Sequence, residues 1–183
     1  MDRGFTLVEV LVAVSLAVLA IAGIAQLPLI AAAATRSARM QSTATALATQ
    51  KLEQLRVLTW TFDAADQPVS DATTDLSANP PAAAGSGLRP SPPGTLDRDV
   101  AGYVDYLDAA GRWVGAGAQA PAGAVYRRRW SVAPLPGSAG GPNDALALQV
   151  LVTKAARPPA GLSGRPRRPE DVFLATVLTR KAP

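Results

Sequence analysis

An uncharged stretch near the N-terminus constrains this chain more than any other feature. No Asp, Glu, Lys or Arg occurs from Val10 to Thr35, and most of the residues are Ala, Val, Leu or Ile. As a helix this run is about 39 Å long at about 1.5 Å per residue, whereas the hydrocarbon core of a membrane is about 30 Å thick. The run therefore predicts a helix that can cross a membrane.

Two ordinary explanations of the run leave residues unexplained. A cleaved secretory signal agrees with Arg3, but its apolar region covers only about 7–15 residues. A plain membrane anchor agrees with the length, but a carboxylate such as Glu9 at the start of a spanning helix costs free energy unless it is paired. Arg3 precedes the run and Arg36 and Arg39 follow it, so the flanking charges favour neither orientation.

The residues from Gly4 to Leu11 read Gly-Phe-Thr-Leu-Val-Glu-Val-Leu. This segment resembles the processing motif of type IV pilins and type II secretion pseudopilins. In that family a prepilin peptidase removes a short leader that ends in glycine, and the new first residue is N-methylated. The resemblance implies cleavage between Gly4 and Phe5, N-methylation of Phe5, and a role for Glu9 in assembly and register.

The resemblance also implies a set of partners and a location. The partners are the prepilin peptidase and methyltransferase, other pilins or pseudopilins through the N-terminal helix, the inner membrane and an assembly platform. The chain would be a single-pass protein of the bacterial inner membrane with its head in the periplasm, and part of a pilus or pseudopilus after assembly.

Charge pairing gives Glu9 a physical role in such an assembly. A cleaved chain carries a cationic amine at Phe5 in apolar surroundings. The Glu9 carboxylate of a neighbouring subunit can neutralise this amine, and pairing lowers the burial penalty of both charges. The pair would also set the axial register of an incoming subunit. Further along the helix, Pro28 predicts a kink or a melted turn, because proline removes one backbone bond.

The apolar pattern predicts that the helix continues beyond the uncharged run. Apolar residues recur at steps of three and four, with one longer gap, at Ala44, Ala48, Leu52, Leu55 and Phe62, flanked by Leu47 and Leu58. This spacing gives one apolar stripe, and Lys51, Glu53 and Arg56 are expected mostly off it. The following residues are rich in Pro and Gly, which predicts a long connection with one short turn of helix.

Alternating or apolar segments then predict a sheet. They are Gly102–Leu107, a short return strand at Arg112–Val114, Val125–Ala133, Ala145–Lys154 and Val172–Arg180. Within the third segment, Tyr126, Trp130 and Val132 are expected on one face and Arg127, Arg129 and Ser131 on the other. In the fourth, Leu146, Leu148, Val150 and Val152 are expected to share a face.

These patterns predict an α+β pilin-like fold, in which a long N-terminal transmembrane and spine helix packs on a small antiparallel β-sheet. The predicted divisions are a leader (1–4), a transmembrane helix (5–35), an amphipathic spine helix (36–62), a Pro/Gly-rich connection (63–101) and the sheet head (102–183). The strand order is left open. The arrangement of the strands is also similar to minor pilins of the PilV type and minor pseudopilins of the GspI type.

Composition limits the chemistry available to the chain. There is no Cys and no His, which excludes disulfides, thiol nucleophiles, Cys or His zinc ligands and the usual acid–base residue at neutral pH. We therefore expect no enzymatic activity, no catalytic residue, no cofactor and no metal site. The net charge of +4 is too small to indicate a nucleic-acid partner.

Two further groups of residues have ordinary explanations. Asp105, Asp108 and Gly111 do not have the spacing of a calcium loop, so a hairpin turn is expected there. Arg127, Arg128 and Arg129 alternate across a strand, so a solvated strand edge is expected.

The functional prediction is a minor pilin or pseudopilin subunit of a type IV pilus or a type II secretion system, and the sequence leaves the choice between the two systems open. The alternative is a membrane-anchored periplasmic adaptor that does not polymerise. Removal of the Glu9 carboxylate discriminates the two, because only the fibre subunit needs it.

Overall fold

The chain forms two compact units, Met1–Met40 and Gln41–Pro183, which we call the N-terminal unit and the C-terminal unit. The computed structural model describes residues 6–58, 60–62, 68–70, 74–83, 85, 87–135, 145–156 and 170–179. Helix α1 comprises Leu7–Val57, so it begins in the first unit and ends in the second. An antiparallel sheet follows it along the chain, which confirms the predicted α+β pilin-like fold.

The N-terminal unit consists of the first part of α1. By length and composition this helix can cross a membrane. Pro28 lies inside the helix, and helical residues continue on both sides of it. The melted turn expected at Pro28 is therefore not observed. A proline takes away the one N–H that would bond four residues back, and the neighbouring turns keep their own bonds.

Helix α1 ends earlier than the predicted spine helix of residues 36–62. Its last residue is Val57, and Trp60–Phe62 form strand β1, which pairs antiparallel with β2, Pro68–Ser70. The predicted end at residue 62 is therefore wrong. Aromatic and β-branched residues such as the Trp-Thr-Phe of β1 favour extended backbone, and they occur here directly after the last helical turn.

The predicted connection of residues 63–101 contains short strands. Thr74–Asp75 form β3 and Ala82–Ala83 form β4, and the two pair antiparallel. Most other described residues of this segment lie in turns and bends. The Arg98 N–H donates to the Gly94 carbonyl oxygen four residues earlier, at 3.0 Å, which closes one turn of the kind the sequence predicted. The other regular structure in the described part of the connection is extended.

Five strands form the main sheet. They are β5 (Val104–Leu107), β6 (Trp113–Ala116), β7 (Tyr126–Leu135), β8 (Ala145–Lys154) and β9 (Val172–Thr179). Their spatial order is β6-β5-β7-β8-β9, and every neighbouring pair is antiparallel. The predicted strands are confirmed to within a few residues at their ends, and the structure supplies the order that the sequence left open.

The apolar stripe of α1 packs on one face of this sheet. The buried apolar residues of the helix are Ala44, Leu47, Ala48, Leu52 and Leu55, as the spacing predicted. They share a cluster with the sheet residues Tyr126, Trp130, Val132, Leu146, Leu148, Val150 and Val152. Alternation along β7 and β8 places these side chains on the same face, so the period-two prediction is also confirmed.

The expectation of a solvated edge for the three arginines is wrong. Strand β7 lies between β5 and β8, and Arg127, Arg128 and Arg129 are 5%, 3% and 2% exposed. Arg128 points to the face that α1 covers, whereas Arg127 and Arg129 point to the opposite face. A buried guanidinium needs a partner, and the aspartates that supply one come from other elements of the fold.

The helix-face ion cluster consists of Lys51, Asp105 and Arg128. Arg128 donates from Nε and Nη2 to the two Asp105 oxygens, at 2.9 and 2.8 Å. Lys51 Nζ lies 2.9 Å from Asp105 Oδ2. Arg128 also donates from Nη1 to the Leu47 carbonyl oxygen at 2.9 Å and so reaches α1 directly. The cluster therefore joins α1 to the neighbouring strands β5 and β7.

Lys51 differs from its predicted position off the apolar stripe, because it is 0% exposed. Its ammonium group donates to the Leu76 carbonyl oxygen and lies 4.1 Å from the ring centre of Trp130. Burial lowers the pKa of Lys51 from 10.5 to about 8; Asp105 opposes this shift, and the nearby Arg128 adds to it. The long apolar stem of lysine lets it lie in a core while its ammonium group meets polar partners.

The opposite-face ion cluster consists of Asp99, Arg127 and Arg129. Arg129 Nε donates to Asp99 Oδ1 at 2.7 Å, and Arg127 Nε lies 3.2 Å from the same oxygen. Arg127 and Arg129 also donate to the carbonyl oxygens of Ala155 and Leu96, at 2.9 and 3.0 Å. This cluster holds the segment before β5 against the sheet face that α1 does not cover.

We predict that Asp105→Asn strongly destabilises the protein. The substitution leaves two buried cations without their shared carboxylate, and breaking a buried ion pair in this way costs about 3–5 kcal/mol. The free energy of unfolding would be measured by urea titration of the full chain in detergent, with Trp fluorescence as the signal of unfolding. Glu53→Gln is the matched control, because its pair with Arg56 is exposed and contributes at most about 1 kcal/mol. Equal stability of the two variants would contradict the role of the cluster.

We also predict that the free energy of unfolding rises with pH from about 8 to about 10. The pKa of Lys51 is lower in the folded chain, so the unfolded chain binds more protons in this window, and the fold loses stability relative to the unfolded chain as pH falls through it. The rise should be about 1–3 kcal/mol. Above about pH 10 it should reverse, because burial, reinforced by Asp99, raises the pKa of Tyr106 and keeps its phenol protonated in the fold. Urea titrations at pH 7, 8, 9, 10 and 11 check both the rise and the reversal, and Lys51→Met should abolish the rise.

Candidate functional site

The start of α1 is closed by a reciprocal pair of side chains, Thr6 and Glu9. The Glu9 N–H donates to Thr6 Oγ1 at 3.3 Å, and the Thr6 N–H donates to Glu9 Oε2 at 3.4 Å. The Thr6 hydroxyl lies 3.5 Å from the same carboxylate oxygen. This arrangement is a capping box, in which each side chain satisfies a backbone N–H that the first helical turn leaves open.

The capping box orients the Glu9 carboxylate without enclosing it. Both residues are exposed, so the carboxylate remains accessible to a second chain. A negative charge in the first helical turn also interacts favourably with the helix dipole. Glu9 therefore has a local structural role in addition to the assembly role that the sequence predicted. The spacing Thr-x-x-Glu is the sequence signal from which this cap can be predicted.

Gly4 and Phe5, the predicted cleavage and methylation residues, lie outside the described residues. The assignments of cleavage to the Gly4–Phe5 bond and of N-methylation to Phe5 therefore stay predictions. Thr6 of the capping box follows Phe5 directly, and α1 begins at the next residue, Leu7.

The surface of α1 that follows the capping box is apolar and exposed. Large apolar side chains with half or more of their surface accessible include Leu7, Val8, Leu11, Leu16, Leu19, Ile21, Ile24, Leu27 and Ile30. Two hydroxyls within this stretch are bonded inside the helix: Ser15 donates to the Leu11 carbonyl at 2.8 Å and Thr35 to the Ala31 carbonyl at 2.9 Å. Such a surface is stable in lipid or against other apolar helices.

The structure separates the residues considered for a calcium loop. Asp105 points into the helix-face ion cluster, whereas Asp108 closes the turn between β5 and β6. Asp108 accepts bonds from the backbone N–H groups of Ala110 and Arg112, at 2.8 and 2.9 Å, and the bond from Arg112 is the largest cause of its lowered pKa. Gly111 has a φ of +77°, which glycine adopts readily. The predicted hairpin turn is confirmed.

Comparison with known proteins bears on the N-terminal segment. Residues 1–25 match the family model described as the prokaryotic N-terminal methylation motif. No curated protein and no solved structure matches the chain. The matched range contains Gly4, Phe5 and Glu9 together with the first part of the apolar run, so it agrees with the resemblance drawn from those residues. The prokaryotic N-terminal methylation motif at residues 1–25, continued by an apolar helix and an antiparallel sheet, indicates that the chain is a type IV pilin-like protein.

Proposed function

We propose that this chain is a minor pilin or pseudopilin subunit. Prepilin peptidase cuts it after Gly4, the amine of Phe5 is methylated, and an assembly platform moves it from the inner membrane into a type IV pilus or a type II secretion pseudopilus. The C-terminal unit lies in the periplasm. The observation that carries this proposal is the methylation motif at the start of a helix whose apolar surface is exposed.

The exposed Glu9 carboxylate supports the assembly step. Cleavage creates a cationic amine at Phe5, and a neighbouring subunit offers the Glu9 carboxylate in apolar surroundings. A pair of unit charges about 4 Å apart gains about 1 kcal/mol in bulk water and about 4 kcal/mol at the effective dielectric constant of a protein surface. The pairing therefore strengthens when the two helices leave water, and an unpaired carboxylate in the same place is penalised.

The apolar surface of α1 supports the transfer from membrane to fibre. Its side chains are surrounded by lipid before assembly and by the helices of other subunits afterwards. Because lipid tails and apolar side chains solvate this surface similarly, the hydrophobic effect neither favours nor opposes its transfer from lipid to fibre by much. The specific interactions must then come from close packing and from polar groups such as Glu9.

The C-terminal unit supports a minor rather than a major subunit. Its main sheet has five strands, aromatic residues make up only 5% of the chain, and Pro and Gly are frequent between the strands. The chain has no cysteine, so it lacks the C-terminal disulfide loop of some major pilins. The absence of His and Cys also favours a non-catalytic role. The strand pattern is similar to the PilV and GspI types of minor subunit.

We predict that the mature chain begins at methylated Phe5 when a prepilin peptidase is present. Full-length protein would be expressed with and without the peptidase and analysed by intact mass and N-terminal sequencing. Gly4→Leu is the control: this variant should stay uncut, because a bulky side chain replaces the glycine at the end of the leader. A chain that begins at Met1 in the presence of the peptidase would refute the processing step, and one that begins near Thr35 would indicate a signal peptide.

We further predict that Glu9→Gln reduces incorporation into fibres by at least about tenfold, since the loss of a paired charge costs more than about 1.4 kcal/mol. Glutamine also completes a capping box, so this variant removes the charge and keeps the cap. Incorporation would be measured by immunoblotting sheared fibres against the membrane fraction. Glu53→Gln, which neutralises an exposed glutamate elsewhere on α1, should assemble normally. Normal incorporation of both variants would refute the assembly role of Glu9, and absence of the unaltered chain from the fibres would favour the membrane-anchored adaptor that does not polymerise.

A further inference from the structure

Gln26 is the one side-chain amide in the uncharged run. The run contains two other polar side chains, Ser15 and Thr35, and each donates to a carbonyl of its own helix. Gln26 is exposed, and among the described residues no hydrogen bond is assigned to its carboxamide. The carboxamide therefore presents donors and an acceptor on a surface that is otherwise apolar.

The position of Gln26 along the run places this amide far from water. The midpoint of Val10–Thr35 lies between residues 22 and 23, so Gln26 is about 5 Å from it along the helix axis. The hydrocarbon extends about 15 Å to either side of a bilayer centre. An amide at this depth has no water to bond, and leaving it unpaired costs several kcal/mol. A polar group on a neighbouring helix is its natural partner.

The helix surface beside Gln26 permits the close approach of a second helix. Ala22 and Gly23 precede it by four and three residues, so both lie on the same side of the helix, one turn away. A Cβ atom added at Gly23 would meet no atom within 4 Å, which shows that this surface is open in the single chain. Small residues let two helix backbones come near enough for a short side chain to bridge them.

We propose that two copies of this chain pack the surface formed by Ala22, Gly23 and Gln26 against each other in the membrane, and that their Gln26 carboxamides exchange reciprocal hydrogen bonds. The occupant is a second copy because copies inserted in the same direction carry residue 26 at the same depth. A carboxamide is both donor and acceptor, so it is complementary to itself. This inference rests on the membrane insertion in the proposed function and adds a contact that forms before assembly.

Disulfide crosslinking tests this contact cleanly, because the chain has no cysteine of its own. The full chain with Ala22→Cys would be reconstituted in phosphatidylcholine vesicles and oxidised at a series of lipid-to-protein ratios. Ile21→Cys is the control position, since residue 21 lies about 140° away from residue 26 around the helix. We expect a crosslinked dimer with the cysteine at position 22 and little with the cysteine at position 21.

The Gln26 substitutions then test the amide itself. In the Ala22→Cys chain, Gln26→Leu should reduce the dimer fraction by about threefold or more, whereas Gln26→Asn should retain most of it. An unchanged dimer fraction with Gln26→Leu would overturn the proposal, as would equal crosslinking from positions 21 and 22. A crosslink in cell membranes to a protein of different mass, without any dimer in vesicles, would also overturn it and would identify another protein as the partner.

The same preparations separate this proposal from the proposed function. Intact mass reports whether the chain was cut at Phe5, and crosslinking reports whether the helices meet at Gln26. A processed chain without a dimer refutes only the contact. A dimer of chains that stay uncut after expression with the peptidase refutes the processing step and leaves the contact standing, because the apolar run inserts into the bilayer in either form.

Discussion

The carboxylate of Asp105 is the constraint on which the C-terminal unit depends. It is shared by Arg128, which donates two bonds to it, and by Lys51, whose ammonium group reaches it from α1. The apolar stripe of the helix holds it against the sheet without directional preference, because hydrophobic contacts are not directional. The ion cluster adds direction: α1 can satisfy Lys51 and Arg128 together only in one register against β5 and β7.

The two ion clusters follow one rule on opposite faces of strand β7. In each, two cations share one aspartate, and backbone carbonyl oxygens accept further hydrogen bonds from the cations. Among the described residues these clusters contain more buried positive charge than negative charge, so the carbonyl dipoles are part of the stabilisation. Replacing either aspartate affects two cations at once, which is why each cluster behaves as a unit and not as separate pairs.

Local periodicity explains how much of the fold the sequence predicted. The stripe on α1 and the alternation along β7 and β8 depend on near neighbours in the chain, and both were predicted correctly. The burial of Arg127–Arg129 was not, because it depends on strand order. Asp105 becomes the direct neighbour of Arg128 only when β5 pairs with β7, and Asp99 lies 30 residues before Arg129 in the chain. Before the strands are ordered, three consecutive arginines resemble a solvated edge.

The candidate site shows the same division between local and distant information. The processing motif and the Thr-x-x-Glu cap both depend on residues close together in the chain, so both can be read from the sequence. The sequence could not supply the surroundings of Glu9, because the partner that we propose for its charge belongs to another molecule. The two parts of α1 thus treat charge in opposite ways: the ammonium group of Lys51 is paired with Asp105 of the same chain, whereas Glu9 is oriented by its own cap and left accessible. A charge that is held in position and not neutralised by its own chain is suited to selecting a partner, because only an incoming cation removes its penalty in apolar surroundings.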